Sequence, residues 1–232
     1  MRYLGGKTRN GMALNIARVL HEQGAACPVY WEPFVGGGST FVTTDPRRRR
    51  VASDVNADLM ALWVAVARGW KPPAATRGAY KAAMSGAGAP EARAFFGFGA
   101  AFGGTWDGGY SEVSAEQTRG SLARYAPVLR GVEFRTGDYA ALGADLLPDG
   151  WLIYCDPPYQ GTTGYSAVGA FDSARFWAWV RVMSARNIVL VSEQGAPGDF
   201  RIVGEWKVSA FIARTNRAKA SRVERLYRWA GA

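Results

Sequence analysis

Short apolar runs alternate with stretches of helical periodicity toward both ends of this 232-residue chain, and that alternation restricts it to an open α/β architecture. Val29 to Phe34, Val51 to Asp54, Val132 to Arg135, Trp151 to Cys155 and Ile188 to Val191 read as strands. Met12, Ala13, Ile16, Ala17 and Leu20 recur at helical spacing, with Thr8 as N-cap and Gly24 as stop. A short helix runs through Phe41 and Val42, a longer one carries Leu59, Leu62, Trp63 and Val66, and Phe176, Trp177, Val180 and Met183 line another, capped by Asp172. Arg201 to Ile212 and Val223 to Trp229 close the chain as an antiparallel hairpin. From about Gly69 to Gly131 the composition shifts to Gly, Ala and Pro with scattered aromatics. Residues 70–130 are therefore expected to form a small insertion on a main domain built from 1–69 and 131–232.

Composition narrows the function. Lys and Arg number 28 against 19 acidic residues, a net charge of +9, which suits a polyanionic partner such as nucleic acid but does not by itself establish one. Two cysteines, Cys27 and Cys155, have no zinc-ligand spacing, and His21 is the single histidine, at the end of a helix, so metal chemistry and His-based triads are not expected. No stretch approaches the roughly 20 apolar residues of a membrane span. The opening segment lacks the apolar block of a signal peptide. A soluble cytoplasmic protein, in a bacterial or phage-infected cell, is the expectation, as a monomer or weak dimer.

Ligands of such sheets bind beyond the carboxyl ends of the strands, where the strand order switches. Three features fall there. The loop Gly36-Gly37-Gly38 follows the first strand, and its glycines allow a sharp turn and close approach to a ligand. Asp54 ends the second strand, placed to accept hydrogen bonds from ribose hydroxyls. Together they indicate a nucleoside-containing cofactor, although G-x-G-x-x-G is incomplete and no G-x-x-x-x-G-K-[ST] phosphate loop is present. The third feature, Asp156-Pro157-Pro158-Tyr159, is more specific than a proline turn. An aromatic amine is a poor nucleophile because its lone pair is delocalised. Asp156 and the rigidly aimed carbonyl of Pro157 can each accept one of its hydrogens, and Tyr159 offers a stacking face for an extruded base.

These residues resemble the DNA adenine methylase (Dam-like) family of amino-methyltransferases, whose motifs occur here in order across nearly the whole chain. Tyr3-Leu4-Gly5-Gly6-Lys7 is similar to the family's aromatic-x-GGK element, Glu32 to Ser39 to its EPFxGxGS loop, Asp54-Val55-Asn56 to its D-x-N element, and Asp156 to Tyr159 to its DPPY. The resemblance implies a Rossmann-like S-adenosylmethionine-dependent methyltransferase fold, a mostly parallel sheet whose insertion is a target-recognition domain. It implies transfer of a methyl group from S-adenosylmethionine to N6 of adenine in double-stranded DNA, of the kind found in restriction-modification. It further implies Asp156, Pro157, Pro158 and Tyr159 as catalytic residues. Tyr3, Lys7, Phe34, Gly36, Gly37, Gly38, Ser39, Asp54 and Asp156 would contact the cofactor, with Asp138 and Tyr139 from a G-D-Y element beside its adenine.

Phosphate contacts are expected from the final hairpin loop, with Arg214, Arg217, Lys219 and Arg222, because the strand before it should run parallel to its neighbours and so end at the cofactor edge. Arg47 to Arg50, the densest basic run, precedes the second strand at the opposite edge and reads as a solvated turn. In the insertion, Arg93 supplies charge, and Trp106 and Tyr110 either stack on DNA or fill the small core. Methylation of cytosine N4, methylation of RNA and a silent DNA-binding module are the competing expectations.

Overall fold

The computed structural model describes residues 1–7, 11–158, 171–209 and 221–231. Within them a seven-stranded sheet runs in the order β3-β2-β1-β4-β5-β7-β6. Its strands are β1 (Val29–Glu32), β2 (Arg49–Asp54), β3 (Glu133–Thr136), β4 (Leu152–Cys155), β5 (Ile188–Glu193), β6 (Phe200–Ser209) and β7 (Ser221–Trp229). The first five pair in parallel, while β7 inserts antiparallel between β5 and β6. This is a Rossmann-like open α/β architecture, with the expected C-terminal antiparallel hairpin.

Strands β1 and β4 are buried along their whole length, as parallel strands covered on both faces must be. Alternate side chains feed two cores. Tyr30, Ala52, Leu152, Tyr154, Leu190 and Leu226 face helices α1 (Met12–Gln23) and α2 (Ala57–Ala67). Trp31, Val51, Ile153, Cys155 and Val191 face α6 (Tyr139–Leu146) and α7 (Ser173–Ser184). Trp31 and Trp63 are at most 1% exposed, and truncating either would cost about 3–5 kcal/mol.

The insertion folds as α3 (Arg77–Met84), α4 (Pro90–Ala94), a π-helical turn (Phe95–Gly99), a 3-10 turn (Phe102–Gly104) and α5 (Glu112–Tyr125). Phe95, Phe96 and Phe98 are buried and join the same core as α1 and α2. The insertion thus packs as one layer with the main body over that face of the sheet.

Several boundaries differ from expectation. Helix α1 starts at Met12 with Gly11 at its N-cap, and the expected cap Thr8 lies outside the described residues. The first strand ends at Glu32 rather than Phe34, because the chain turns at Pro33 to enter the glycine loop. The basic run is only partly a solvated turn. Arg47 pairs with Asp45, but Arg49 and Arg50 belong to β2, where Arg49 pairs with Glu133 and buried Arg50 donates to the Val128 carbonyl. His21 is exposed in the last turn of α1, and Cys27 and Cys155 are both buried thiols.

Candidate active site

Strands β1 and β4 are neighbours whose outgoing connections, to β2 and to β5, run to opposite sides and open a crevice beyond their carboxyl ends. The glycine loop after β1, Asp54 at the end of β2, and Asp156 immediately after β4 converge on this edge.

Positive φ at Gly36 (46°) and Gly38 (68°) lets the loop fold back beneath the N-terminal segment. Asp54 organises it. One carboxyl oxygen accepts from the Gly36 N–H (3.1 Å) and the other from the Asn56 N–H (3.0 Å), while Asn56 caps α2. Burial raises the Asp54 carboxyl to about 6, against the lowering effect of those N–H groups. Trp63 on α2 donates through Nε1 to the Gly36 carbonyl (3.0 Å), closing the loop from behind. Tyr3 leaves no room at Gly37, where a Cβ would stand 2.6 Å from the Cβ of Tyr3. The Tyr3 ring packs on Phe98 of the insertion at 4.9 Å. Leu4 N–H donates to the Gly104 carbonyl (3.1 Å), so the N-terminal motif is held between the glycine loop and the insertion.

Lys7 is 6% exposed. Its backbone N–H donates to Ser39 Oγ (3.0 Å), and its Nζ lies 2.7 Å from Asp156 Oδ1, 3.4 Å from Glu224 Oε1 and 3.5 Å from the Gly5 carbonyl. Burial works against its positive charge, but the two carboxylates outweigh burial and hold Lys7 above its ordinary value. Beneath them, Glu32 at the end of β1 accepts a short hydrogen bond from the Tyr30 hydroxyl. Burial pushes its carboxyl well above the usual carboxylate range.

Beside the crevice, Phe34 packs on Tyr139 (5.2 Å between ring centroids) and Phe171 (5.9 Å). Asp138 caps α6 through the Ala140 N–H and pairs with Arg175 at 2.7 Å, and Arg175 lies over the Tyr139 ring. Gly137 N–H donates to the Asp54 carbonyl (3.1 Å), bringing the G-D-Y element up to the end of β2.

Motifs widely separated in sequence thus meet at one edge: Tyr3, Lys7, Phe34, Gly36 to Ser39, Asp54, Asp138, Tyr139 and Asp156 to Pro158. Tyr159 lies outside the described residues, as do Arg214, Arg217 and Lys219. Arg222 lies on β7, whose pairing with β6 makes β6 parallel to β5, so β6 ends at the cofactor edge. The three expected DNA contacts in the insertion have intramolecular roles. Arg93 pairs bidentately with Asp58 of α2 (2.9 and 2.6 Å). Trp106 packs on Phe98 at 4.9 Å and fills the space a Cβ at Gly97 would need. The Tyr110 hydroxyl donates to the Ala75 carbonyl (2.6 Å). For the two aromatics, the structure shows the core alternative.

Glu224 escaped sequence reasoning. The available signal was its parity with buried Leu226 on β7, which places an acid on the core-facing side of a strand. Among the described residues no His, Cys, Asp and Glu group is arranged to hold a metal ion, and no helix is long and apolar enough to cross a membrane.

Residues 3–86 match the family model for D12 class N6 adenine-specific DNA methyltransferases. A search of curated proteins finds no match. Similar solved structures include a conserved hypothetical protein from Streptococcus pyogenes, at 10% identity, covering 88% of this chain and 86% of that chain with a TM-score of 0.38. A candidate methyltransferase, yhhF from Escherichia coli, is also 10% identical, covering 99% and 97% with a TM-score of 0.38. The family match agrees with the resemblance drawn from the motifs and supports an enzyme of the adenine-specific DNA methyltransferase kind.

Proposed function

We propose that this chain transfers the methyl group of S-adenosylmethionine to N6 of an adenine extruded from duplex DNA, by direct in-line displacement. The observation that carries the proposal is the placement of Asp156, bound by buried Lys7, at the sheet's switch point beside the glycine loop and Asp54.

The donor set fits the cofactor. Asp54 is a largely buried carboxyl whose two oxygens each accept one backbone N–H, leaving lone-pair capacity for ribose hydroxyls. Tyr3, Lys7, Phe34, the Gly36 to Ser39 loop, Asp54, Asp138 and Tyr139 would hold it. When bound, S-adenosylmethionine supplies a methyl group activated by its sulfonium.

The chain's own residues prepare the acceptor. Asp156 and the Pro157 carbonyl accept the two amine hydrogens, which favours the pyramidal amine and frees its lone pair for attack. As positive charge develops on N6, the Asp156 carboxylate stabilises it and can take the surplus proton. No covalent enzyme intermediate is needed, because positioning alone aligns the reactants. Tyr159 is assigned the stacking face for the extruded base, and Arg214, Arg217, Lys219 and Arg222 the phosphates.

The test is incubation with methyl-labelled S-adenosylmethionine and unmethylated duplex DNA, followed by digestion to nucleosides. Label is expected in N6-methyldeoxyadenosine, falling at least about a hundredfold in Asp156→Ala. Label in N4-methylcytosine, in RNA alone, or in no base despite cofactor binding would overturn the assignment.

A further inference from the structure

We propose that Glu224 is a positioning residue of this site, acting through Lys7 to hold the Asp156 carboxyl against the acceptor amine. The inference rests on the proposed methyl transfer and adds a residue from β7, far in sequence from every recognised motif.

A lysine side chain has four rotatable bonds and a point-charge head, so a single carboxylate does not define where its ammonium sits. Among the described residues, Lys7 Nζ has three oxygen acceptors. Asp156 Oδ1 lies at 2.7 Å, Glu224 Oε1 at 3.4 Å and the Gly5 carbonyl at 3.5 Å. Each comes from a different part of the fold: the turn after β4, the antiparallel strand β7, and the N-terminal motif itself. Glu224 is 9% exposed and sits on a strand held by neighbours on both sides, so its carboxylate is a rigid anchor. Asp156, by contrast, follows the last residue of β4 and is the more exposed of the two, with 22% of its side chain accessible against 11% for Glu224.

With Glu224 replaced by a neutral residue, Lys7 loses the β7 carboxylate that aims it at Asp156.

The experiment compares Glu224→Ala and Glu224→Gln with the parent enzyme by single-turnover methyl transfer, cofactor Kd and pH–rate profile. Glu224→Ala is expected to slow transfer by about tenfold to a hundredfold with cofactor Kd within about twofold, since misplacement of a reacting group acts on the chemical step. Glu224→Gln retains an oxygen that accepts from Nζ, so it recovers part of the rate. In both variants the alkaline limb of the profile moves to lower pH, because only one of the two charges that keep Lys7 protonated remains. Unchanged transfer in Glu224→Ala overturns the proposal. Should that variant fail to fold, Lys7→Met is compared with Lys7→Met/Glu224→Ala, in which no ammonium is buried. Equal rates are expected, and a further tenfold loss in the double variant would show Glu224 acting independently of Lys7. A parent enzyme that methylates no adenine would instead refute the methyl-transfer assignment.

Discussion

Asp54 titrates in an experimentally convenient range, and its behaviour separates folding from binding. Its folded carboxyl lies at about 6 against 3.8 in a free chain, so between those values the folded protein holds a proton that the unfolded chain has released. Asp54 alone therefore makes stability fall as pH rises from about 4 to about 6. Cofactor affinity should move in the opposite direction, because hydroxyl donors on a bound ribose favour the ionised carboxylate. Titration calorimetry should show the Kd for S-adenosylmethionine tightening by about tenfold from pH 5 to pH 7, the change expected when only the ionised form binds well. Asp54→Asn should flatten that dependence. A flat profile in the parent enzyme would remove Asp54 from the cofactor site. The Gly37 position makes a steric prediction at the same scale. Gly37→Ala brings a Cβ to 2.6 Å from the Cβ of Tyr3, so the N-terminal motif must shift, and cofactor Kd should rise by about tenfold or more.

Among the elements, α6 depends on a cap that also belongs to the site. Asp138 accepts the Ala140 and Ala141 N–H groups and pairs with Arg175 across an exposed surface. The cap dominates energetically, since exposed ion pairs contribute little. Asp138→Ala should cost about 1 kcal/mol, lowering Tm by roughly 2–4 °C in a chain of this size. If Tm in a calorimetric scan is unchanged, the cap contributes nothing to stability. The glycine loop is held by contacts from both sides, the Asp54 carboxyl below and the Trp63 indole behind, so it does not depend on a ligand for its shape.

For the molecule as a whole, the +9 net charge matters through its distribution. Arg47, Arg49 and Arg93 are engaged with Asp45, Glu133 and Asp58, and Arg50 is buried against Val128. The proposed phosphate contacts Arg214, Arg217 and Lys219 fall in the sequence between β6 and β7. Replacing Arg214, Arg217 and Lys219 together with Gln should weaken DNA binding for all sequences alike. It should also reduce the slope of log K against log salt by about 3, near 0.9 for each phosphate that is no longer neutralised. An unchanged slope in a fluorescence-anisotropy titration would place the DNA elsewhere. The insertion shares its core with α1 and α2, so thermal unfolding followed by tryptophan fluorescence and by circular dichroism should coincide in one transition.

Local chemistry explains what was legible before folding. The α/β alternation follows from the periods of strand and helix, the glycine loop from the need for positive φ at Gly36 and Gly38, and the role of Asp156 from a short motif that carries its chemistry within four residues. The closing antiparallel hairpin could likewise be read from its apolar runs. Residues whose role depends on who sits opposite were not legible. Local sequence leaves Trp106 and Tyr110 open between DNA stacking and core, and offers Arg93 as a free charge; only the fold shows Arg93 paired with Asp58, Trp106 packed on Phe98 and the Tyr110 hydroxyl bonded to Ala75. Glu224 comes to Lys7, 217 positions earlier in the chain, only through the insertion of β7 beside β5. Local sequence determines which conformation a segment favours and which groups it offers. Only the tertiary structure decides which of those groups are already engaged, because charges, rings and hydroxyls are matched across the fold by packing that no local period encodes.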